Sequence, residues 1–438
     1  MAYMRDLSGR RLDSIQVPAT SEVQAMIEAL HPNALGAKMN PYETTLYAGA
    51  NVWHTADHIP DFTALPWTSR WDDFTRIRYP NGTPVTAVEG QPELYGCKLT
   101  STGGDNPQSI YGSFYITSEK FALMVTAWAT ADVTIYVDRK PLTLDPYLVP
   151  EGRWLVIAEG LGGGEHLVEF IIGREANFLW LVAPPDTSWR IGPAPGFKIA
   201  VMGDSYTDAG VAPYFAGLSR EIWRLTGWTP IQLGQGSTGY TNNGSSSGDL
   251  SRQVYGGTNR LAALEAADPD VVLVVGSGND SATPSVVEQA AADYYAALAP
   301  RPVIVVGVQP LFDAGDPRYA ALDLVNAAIL AAANAAPNVI GVIDWRGEDW
   351  LTGTGSVSDP QGDGNQDIYI GDVAGTDTIH PNYAGQQYLG GRLVERFGLM
   401  PLSDVATVAD LNFRVPIPPA SGSYRLHAVD GTPQWVAL

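Results

Sequence analysis

The sequence predicts a chain of two unlike halves, an all-β segment followed by an α/β segment built on a parallel sheet. Three features predict it. Between residues 41 and 195 apolar residues recur with a period of two, as in Phe121, Leu123, Val125 and Ala127. From 198 to 343 short apolar runs alternate with longer helical periods. Between these regions, Ala183-Pro184-Pro185 to Pro193-Ala194-Pro195-Gly196 is rich in proline and glycine and reads as a linker.

Residues 1–40 are expected to form a small helical appendage. Val23, Met26, Ile27 and Leu30 fall at i, i+3, i+4 and i+7, and His31-Pro32 stops the helix. In residues 41–195 the alternation returns at Val133, Ile135, Val137 and at Val168, Phe170, Ile172, with turn-rich stretches between. Short strands at this spacing predict a β-sandwich, jelly-roll-like domain. Trp53, Trp67, Trp71 and Trp128 are its candidates for stacking on sugar rings, though a tryptophan in such a domain more often fills the core. His54 and His58 have a metal-ligand spacing but no third partner in view, so a hydrogen-bonded pair is expected.

Residues 196–400 carry the predicted parallel sheet, with strands near 198–202, 229–233, 271–275, 303–307 and 339–343. Val287, Ala291, Tyr294, Tyr295 and Leu298 mark one helical face, and Leu322, Val325 and Ile329 another. A last helix runs from Asn382 to Phe397, with Leu389, Leu393 and Phe397 on one face and Pro381 suited to its first turn. Residues 401–438 form an expected β tail, a candidate element for attachment or oligomerisation.

The 438 residues include 45% hydrophobic and 17% charged side chains, which suits a folded chain with sizeable cores. The net charge of −21 and the lack of a Lys/Arg-rich run argue against a nucleic-acid ligand. Cys97 is the single cysteine, so neither an intrachain disulfide nor a thiolate zinc cluster can form. The N-terminus lacks the apolar core of a secretory signal, and no apolar run approaches the roughly 20 residues that span a bilayer.

Chemistry concentrates in the α/β half. The run Ile199-Ala200-Val201-Met202 stops at Gly203-Asp204-Ser205, a strand entering a tight turn before a helix. A serine there can expose its hydroxyl and hold its N–H near a helix start, where negative charge is stabilised. Val271 to Val275 leads into Gly276-Ser277-Gly278-Asn279-Asp280, and Asp377-Thr378-Ile379-His380-Pro381 follows later. Both Ser205 and Asn279 lie just after strands, on the edge where sites of parallel sheets form. His380 is the candidate base for the Ser205 hydroxyl and Asp377 the group that orients it.

Three other motifs compete. Gly234-Gln235-Gly236-Ser237-Thr238-Gly239 spells a dinucleotide fingerprint, but a Gly/Ser loop follows it where a helix is needed. Gly244 to Gly248 spells G-x-S-x-G around Ser246 with no strand ahead of it. Asp363, Asn365 and Asp367 begin like a calcium loop, but Ile368 and Ala374 stand where its glycine and glutamate belong. No cofactor or metal is expected.

With GDS at 203–205, the glycine loop at 234–239, the GxND-like block ending at Asn279-Asp280, and DxxH at 377–380, residues 197–400 resemble the SGNH (GDSL-like) hydrolases. The resemblance implies a three-layer αβα fold on a flavodoxin-like sheet, with a β-sandwich ahead of it in many two-domain members. It implies a metal-independent serine esterase that forms an acyl-enzyme through Ser205, His380 and Asp377. The implied oxyanion donors are the N–H of Ser205, a backbone N–H of the glycine block and the side-chain amide of Asn279. In that block the aligned position is Ser237, with Gly236 and Gly239 as alternatives, and Ser277 replaces the first glycine of GxND. Asp280 is expected to brace its loop. The sandwich tilts the expected substrate towards O-acylated carbohydrate or a glycolipid.

The ends of the chain, Gly9-Arg10-Arg11-Leu12-Asp13-Ser14-Ile15 and Thr432-Pro433-Gln434-Trp435-Val436-Ala437-Leu438, are similar to minor tail proteins of phages infecting actinobacteria. That implies a homo-oligomer or a place in a phage tail, and an alternative role as a carbohydrate-binding or structural tail protein with a degenerate hydrolase domain.

Overall fold

The computed structural model describes residues 45–56, 69–71, 77–79, 109–173, 175–194, 196–208, 217–244, 253–310 and 317–397, and the backbone of 424–429 and 432–437. The expected N-terminal helix, His31, Cys97, Trp67, Asp57, His58 and Ser246 lie outside the described residues, as does the side chain of Trp71.

The β part contains β1 (Asn51–Ala56), β2 (Ser69–Trp71), β3 (Ile110–Thr117), β4 (Lys120–Ala127), β5 (Ala131–Val137) and β6 (Lys140–Pro141). It continues with β7 (Tyr147–Val149), β8 (Gly152–Glu159), β9 (His166–Ile172), β10 (Ala176–Ala183) and β11 (Ser188–Ile191). One antiparallel sheet has the order β1-β8-β4-β10-β2 and the other β11-β3-β9-β5-β6, with β7 also pairing β5. The period-two residues of both sheets enter one core: Leu123 and Val125 of β4 share it with Val133 and Ile135 of β5 and Phe170 of β9. Trp53 and Trp128 are exposed, and the Trp53 Nε1–H donates to Glu159 at 3.1 Å. His54 packs edge-on to Trp154, with its Nδ1 2.5 Å from the Tyr147 hydroxyl.

The α/β part contains β12 (Lys198–Met202), α1 (Ser205–Asp208), α2 (Gly217–Thr226), β13 (Thr229–Gln232), α3 (Thr258–Ala267) and β14 (Val271–Val275). It continues with α4 (Pro284–Leu298), β15 (Val303–Val306), α5 (Pro317–Ala335), β16 (Val339–Ile343), α6 (Gln366–Tyr369) and α7 (Tyr383–Arg396). All four strand pairs are parallel, in the order β13-β12-β14-β15-β16. The predicted parallel sheet is therefore present, with the strand order of a flavodoxin-like fold. Its central strands β14 and β15 are apolar at every position because both faces are covered. Ile199 and Val201 join Leu218, Ile222, Leu389 and Leu393 on one side. Ala200 and Met202 join Leu264, Val287 and Ile329 on the other.

Sequence order reverses between β12 and β14, so the loops after these two strands lie side by side at the carboxyl edge. Ser205 is on one and Asn279 on the other. A β17–β18 hairpin (Tyr424–Val429, Thr432–Ala437) forms the described end of the chain.

The last helix departs from expectation at its start. Pro381 lies ahead of the first turn, and Asn382 is the cap, its side chain accepting from the Gly385 N–H at 3.0 Å. Beside Leu389 and Leu393, Gly390 meets α2 closely: a Cβ added there would stand 2.5 Å from Glu221 Cβ. Gly390→Ala is accordingly expected to destabilise the fold by about 1–3 kcal/mol through overpacking, read from urea unfolding midpoints.

Candidate active site

The turn after β12 is held by its own side chains. Asp204 Oδ1 accepts from the Tyr206 N–H at 3.0 Å, and the Asp204 carbonyl accepts from Thr207 Oγ1 at 2.9 Å. Any Cβ at Gly203 would come within 2.6 Å of Thr207 Oγ1, so only glycine fits this approach. Among the described residues no protein group accepts from the Ser205 N–H.

His380 stands across from this turn, just before α7. Its Nε2 is 2.8 Å from Ser205 Oγ, and its Nδ1 is 2.6 Å from Asp377 Oδ2. A carboxylate only accepts, so Nδ1 carries the proton and Nε2 is the bare nitrogen facing the hydroxyl. The three-residue spacing has a local cause: Asp377 Oδ1 also accepts from the backbone N–H of Ile379 and of His380, each at 2.9 Å. Burial opposes ionisation of Asp377, but the His380 ring and those two N–H groups outweigh it and hold the carboxyl down at about 2.

The glycine block separates its three candidate donors. The Gly236 N–H already donates to Asp208 Oδ2 at 3.0 Å, and the Gly239 N–H to the Asn242 carbonyl at 2.8 Å. The Ser237 N–H has no acceptor among the described residues. Ser237 adopts φ 62°, the left-handed conformation that a glycine would take without steric cost. It precedes Thr238, whose carbonyl accepts from Asn279 Nδ2 at 3.1 Å, but it is not part of the cavity wall.

The departure at Ser277 is absorbed into the site. Its buried hydroxyl donates to the Thr238 carbonyl at 2.7 Å and accepts from the Asn279 N–H at 2.9 Å, bonds that glycine cannot make. Asp280 braces its loop, accepting from the N–H groups of Tyr240, Thr241 and Asn242 and from the Thr241 hydroxyl. Asn279 Nδ2 also reaches Asp204 Oδ2 at 3.1 Å, so both of its hydrogens are engaged.

Three residues escaped the sequence reading. Gln309, just past β15, donates to Asp204 Oδ2 at 2.7 Å and accepts from the Gly278 N–H at 2.7 Å. Its one sequence signal is position, beyond a strand on the carboxyl edge. The Tyr206 hydroxyl donates to the Ile379 carbonyl at 2.7 Å, tying the serine turn to the histidine loop. Buried Arg260 donates to the carbonyls of Gly203 at 2.8 Å and Leu233 at 2.6 Å, clamping two strand ends, with no motif to announce it.

Ser205 opens into a cavity of about 420 Å³ whose walls include Asn279, Gln309, Arg318, Ala321, Leu322 and Ile379. Among the described residues no group of three or more His, Cys, Asp or Glu is placed to hold a metal ion. Asp363 is hydrogen-bonded to Thr354, and Asp367 to the N–H groups of Gln361 and Gly362. In the G-x-G-x-x-G region, the next described helix begins only at Thr258.

Burial raises the Asp204 carboxyl to about 6, against 3.8 for an ordinary aspartate. Between those values the folded chain binds a proton that the unfolded chain does not, so stability falls as pH rises through this window. The decline is expected to be on the order of 3 kcal/mol, and Asp204→Asn to flatten it, in denaturant titrations at pH 4 and 7. Asp377 acts in the opposite sense: its contribution is present above 3.8 and is lost as pH falls towards 2.

A family two carbohydrate esterase from Clostridium thermocellum, solved as an active-site mutant, has a similar fold. The TM-score is 0.51 at 16% identity, over 74% of this chain and 99% of that one. The salicylyl-acyltransferase SsfX3 of a tetracycline biosynthetic pathway matches with a TM-score of 0.51 at 12% identity, over 75% of this chain and 97% of that one. At such identities the likeness is one of fold. No curated protein sequence matches the chain. Residues 201–388, which span the serine turn, the asparagine loop and the histidine loop and follow the antiparallel β part, match the model of the GDSL-like Lipase/Acylhydrolase family.

Proposed function

We propose that the chain is a serine esterase acting on O-acyl groups of cell-envelope carbohydrate or glycolipid. The observation that carries the reading is the hydrogen-bonded line from Ser205 through His380 to Asp377 at the mouth of a cavity. As Ser205 Oγ bonds to the acyl carbon, His380 Nε2 takes its proton and the carbonyl electrons move onto oxygen. Asp377, ionised at any pH well above 2, stabilises the imidazolium. The C–O bond to the alcohol then breaks, and the leaving oxygen takes the proton from His380. Water, deprotonated by His380, attacks the acyl-enzyme and releases the acid and Ser205.

The oxyanion would draw on the N–H groups of Ser205 and Ser237 and on Asn279 Nδ2. For Asn279 this means exchange, because an oxyanion must displace Thr238 or Asp204 from one of its hydrogens. The apolar side of the cavity, Ala321, Leu322 and Ile379, suits a short acyl chain. Its polar side, Asn279, Gln309 and Arg318, suits a hydroxylated alcohol. The similarity of fold to a carbohydrate esterase supports this substrate class by analogy. A degenerate hydrolase domain in a binding or tail-structure protein is disfavoured by the bonds that Ser277 makes and by the intact Ser205–His380 contact.

Hydrolysis of p-nitrophenyl acetate, butyrate and octanoate tests the reading. The wild type is expected to favour acetate, and Ser205→Ala to lose at least about 10³-fold in kcat. Undiminished turnover by Ser205→Ala would overturn it. Asn279→Ala is expected to lose about 10²-fold or more in kcat. Ser237→Gly, which keeps the N–H and relieves the left-handed backbone, is expected to stay within about two-fold of wild type.

A further inference from the structure

The β part and the site are joined by one buried cation. Arg220 of α2 is 2% exposed, and its Nη1 donates to Asp132 Oδ2 on β5 at 2.9 Å. Its Nε lies 3.2 Å from Glu221 Oε1, and Glu221 also receives Arg224 at 2.8 Å. Its Nη2 donates to Gln386 Oε1 of α7 at 3.1 Å, and the guanidinium lies over the Tyr383 ring at 4.7 Å. Arg220 thus grips the first turn of α7 from two sides. That turn begins three residues after His380.

Gln386 transmits the grip. Its side chain is fully buried, and a guanidinium can only donate, so the amide oxygen must face Arg220. The amide nitrogen is thereby directed at the carbonyl of Pro381, which it reaches at 3.4 Å. Pro381 follows His380 directly, while the His380 carbonyl accepts from the Gly371 N–H at 2.9 Å. Asp132 neutralises Arg220 from the β side, as Glu221 does from α2. Without Asp132 the guanidinium is drawn towards Glu221 and away from Gln386, because a buried cation follows its remaining counter-charge.

We infer that Asp132, on the β part, is a positioning residue for His380, acting through Arg220 and Gln386; this rests on the esterase reading above. The β part is then an integral component of the reacting site. Asp132 touches neither substrate nor reacting atoms, so its removal should alter how often His380 meets Ser205 and leave the cavity that binds the ester intact.

The test compares kcat, KM and the titre of reactive serine for Asp132→Ala, Asp132→Asn and Gln386→Met, with a fluorophosphonate as the titrant and p-nitrophenyl acetate as substrate. Asp132→Ala and Gln386→Met are expected to lose about ten- to a hundred-fold in kcat per titrated serine, with KM within about two-fold of wild type. Asp132→Asn keeps an acceptor oxygen for Arg220 and should recover part of the loss. Wild-type kcat per titrated serine in Asp132→Ala overturns the inference, as does a loss matched by the fall in titre. Should Asp132→Ala fail to fold, Gln386→Met and Asp132→Asn decide, and wild-type kcat in both overturns it. Ser205→Ala separates the two proposals: if it stays active, the esterase reading itself has failed.

Discussion

The site depends on the reversal of strand order at β12. A parallel sheet turns all its strands the same way, so neighbouring loops at its carboxyl edge normally lead into helices on one face. At β12 and β14 the helices leave to opposite faces, and a crevice opens between the loops. The buried carboxylate of Asp204 spans it, accepting from its own turn and from Asn279 and Gln309 beyond the next two strands. One side chain therefore sets the separation of three strand ends. The same burial that makes it a rigid spacer raises its affinity for a proton.

Much of this was legible in the residues because the relevant signals are local. β12, β14, β15 and β16 are each announced by a run of apolar residues, and the helical faces of α4 and α5 by their spacing. Ser205, Asn279, Asp377 and His380 fall in short blocks whose geometry is fixed within a few bonds. The last helix shows the limit of such reading: proline at 381 drew attention to itself, but the asparagine after it is the cap. Cap and first turn differ by one residue, and only the hydrogen bond to Gly385 tells them apart.

What the sequence hid are contacts between distant segments. On β5 the period-two residues Val133, Ile135 and Val137 were expected inside. The alternating partners Asp132, Thr134 and Tyr136 look like an outer, solvated face, yet all three are buried. Tyr136 lies edge-on to Trp223 at 5.1 Å, and Tyr111 and Ile171 pack in the same cluster. That face is covered by α2, which no pattern within β5 can reveal. Gln309, Arg260 and Tyr206 were missed for the same reason: each acts on a segment far away in the chain.

The arrangement of Asp377 has a further consequence. This carboxylate holds the His380 ring and the backbone on which the ring is carried, all within one tight loop. Asp377 and His380 therefore travel as a single rigid body, and shear between layers of the molecule does not act on the bond between them. Disorder in the reacting geometry is compressed into one coordinate, the gap between His380 and Ser205. Drift in that gap, whether from heat, crowding or a substitution elsewhere, would interrupt the proposed proton transfer while the Asp377–His380 hydrogen bond stayed whole.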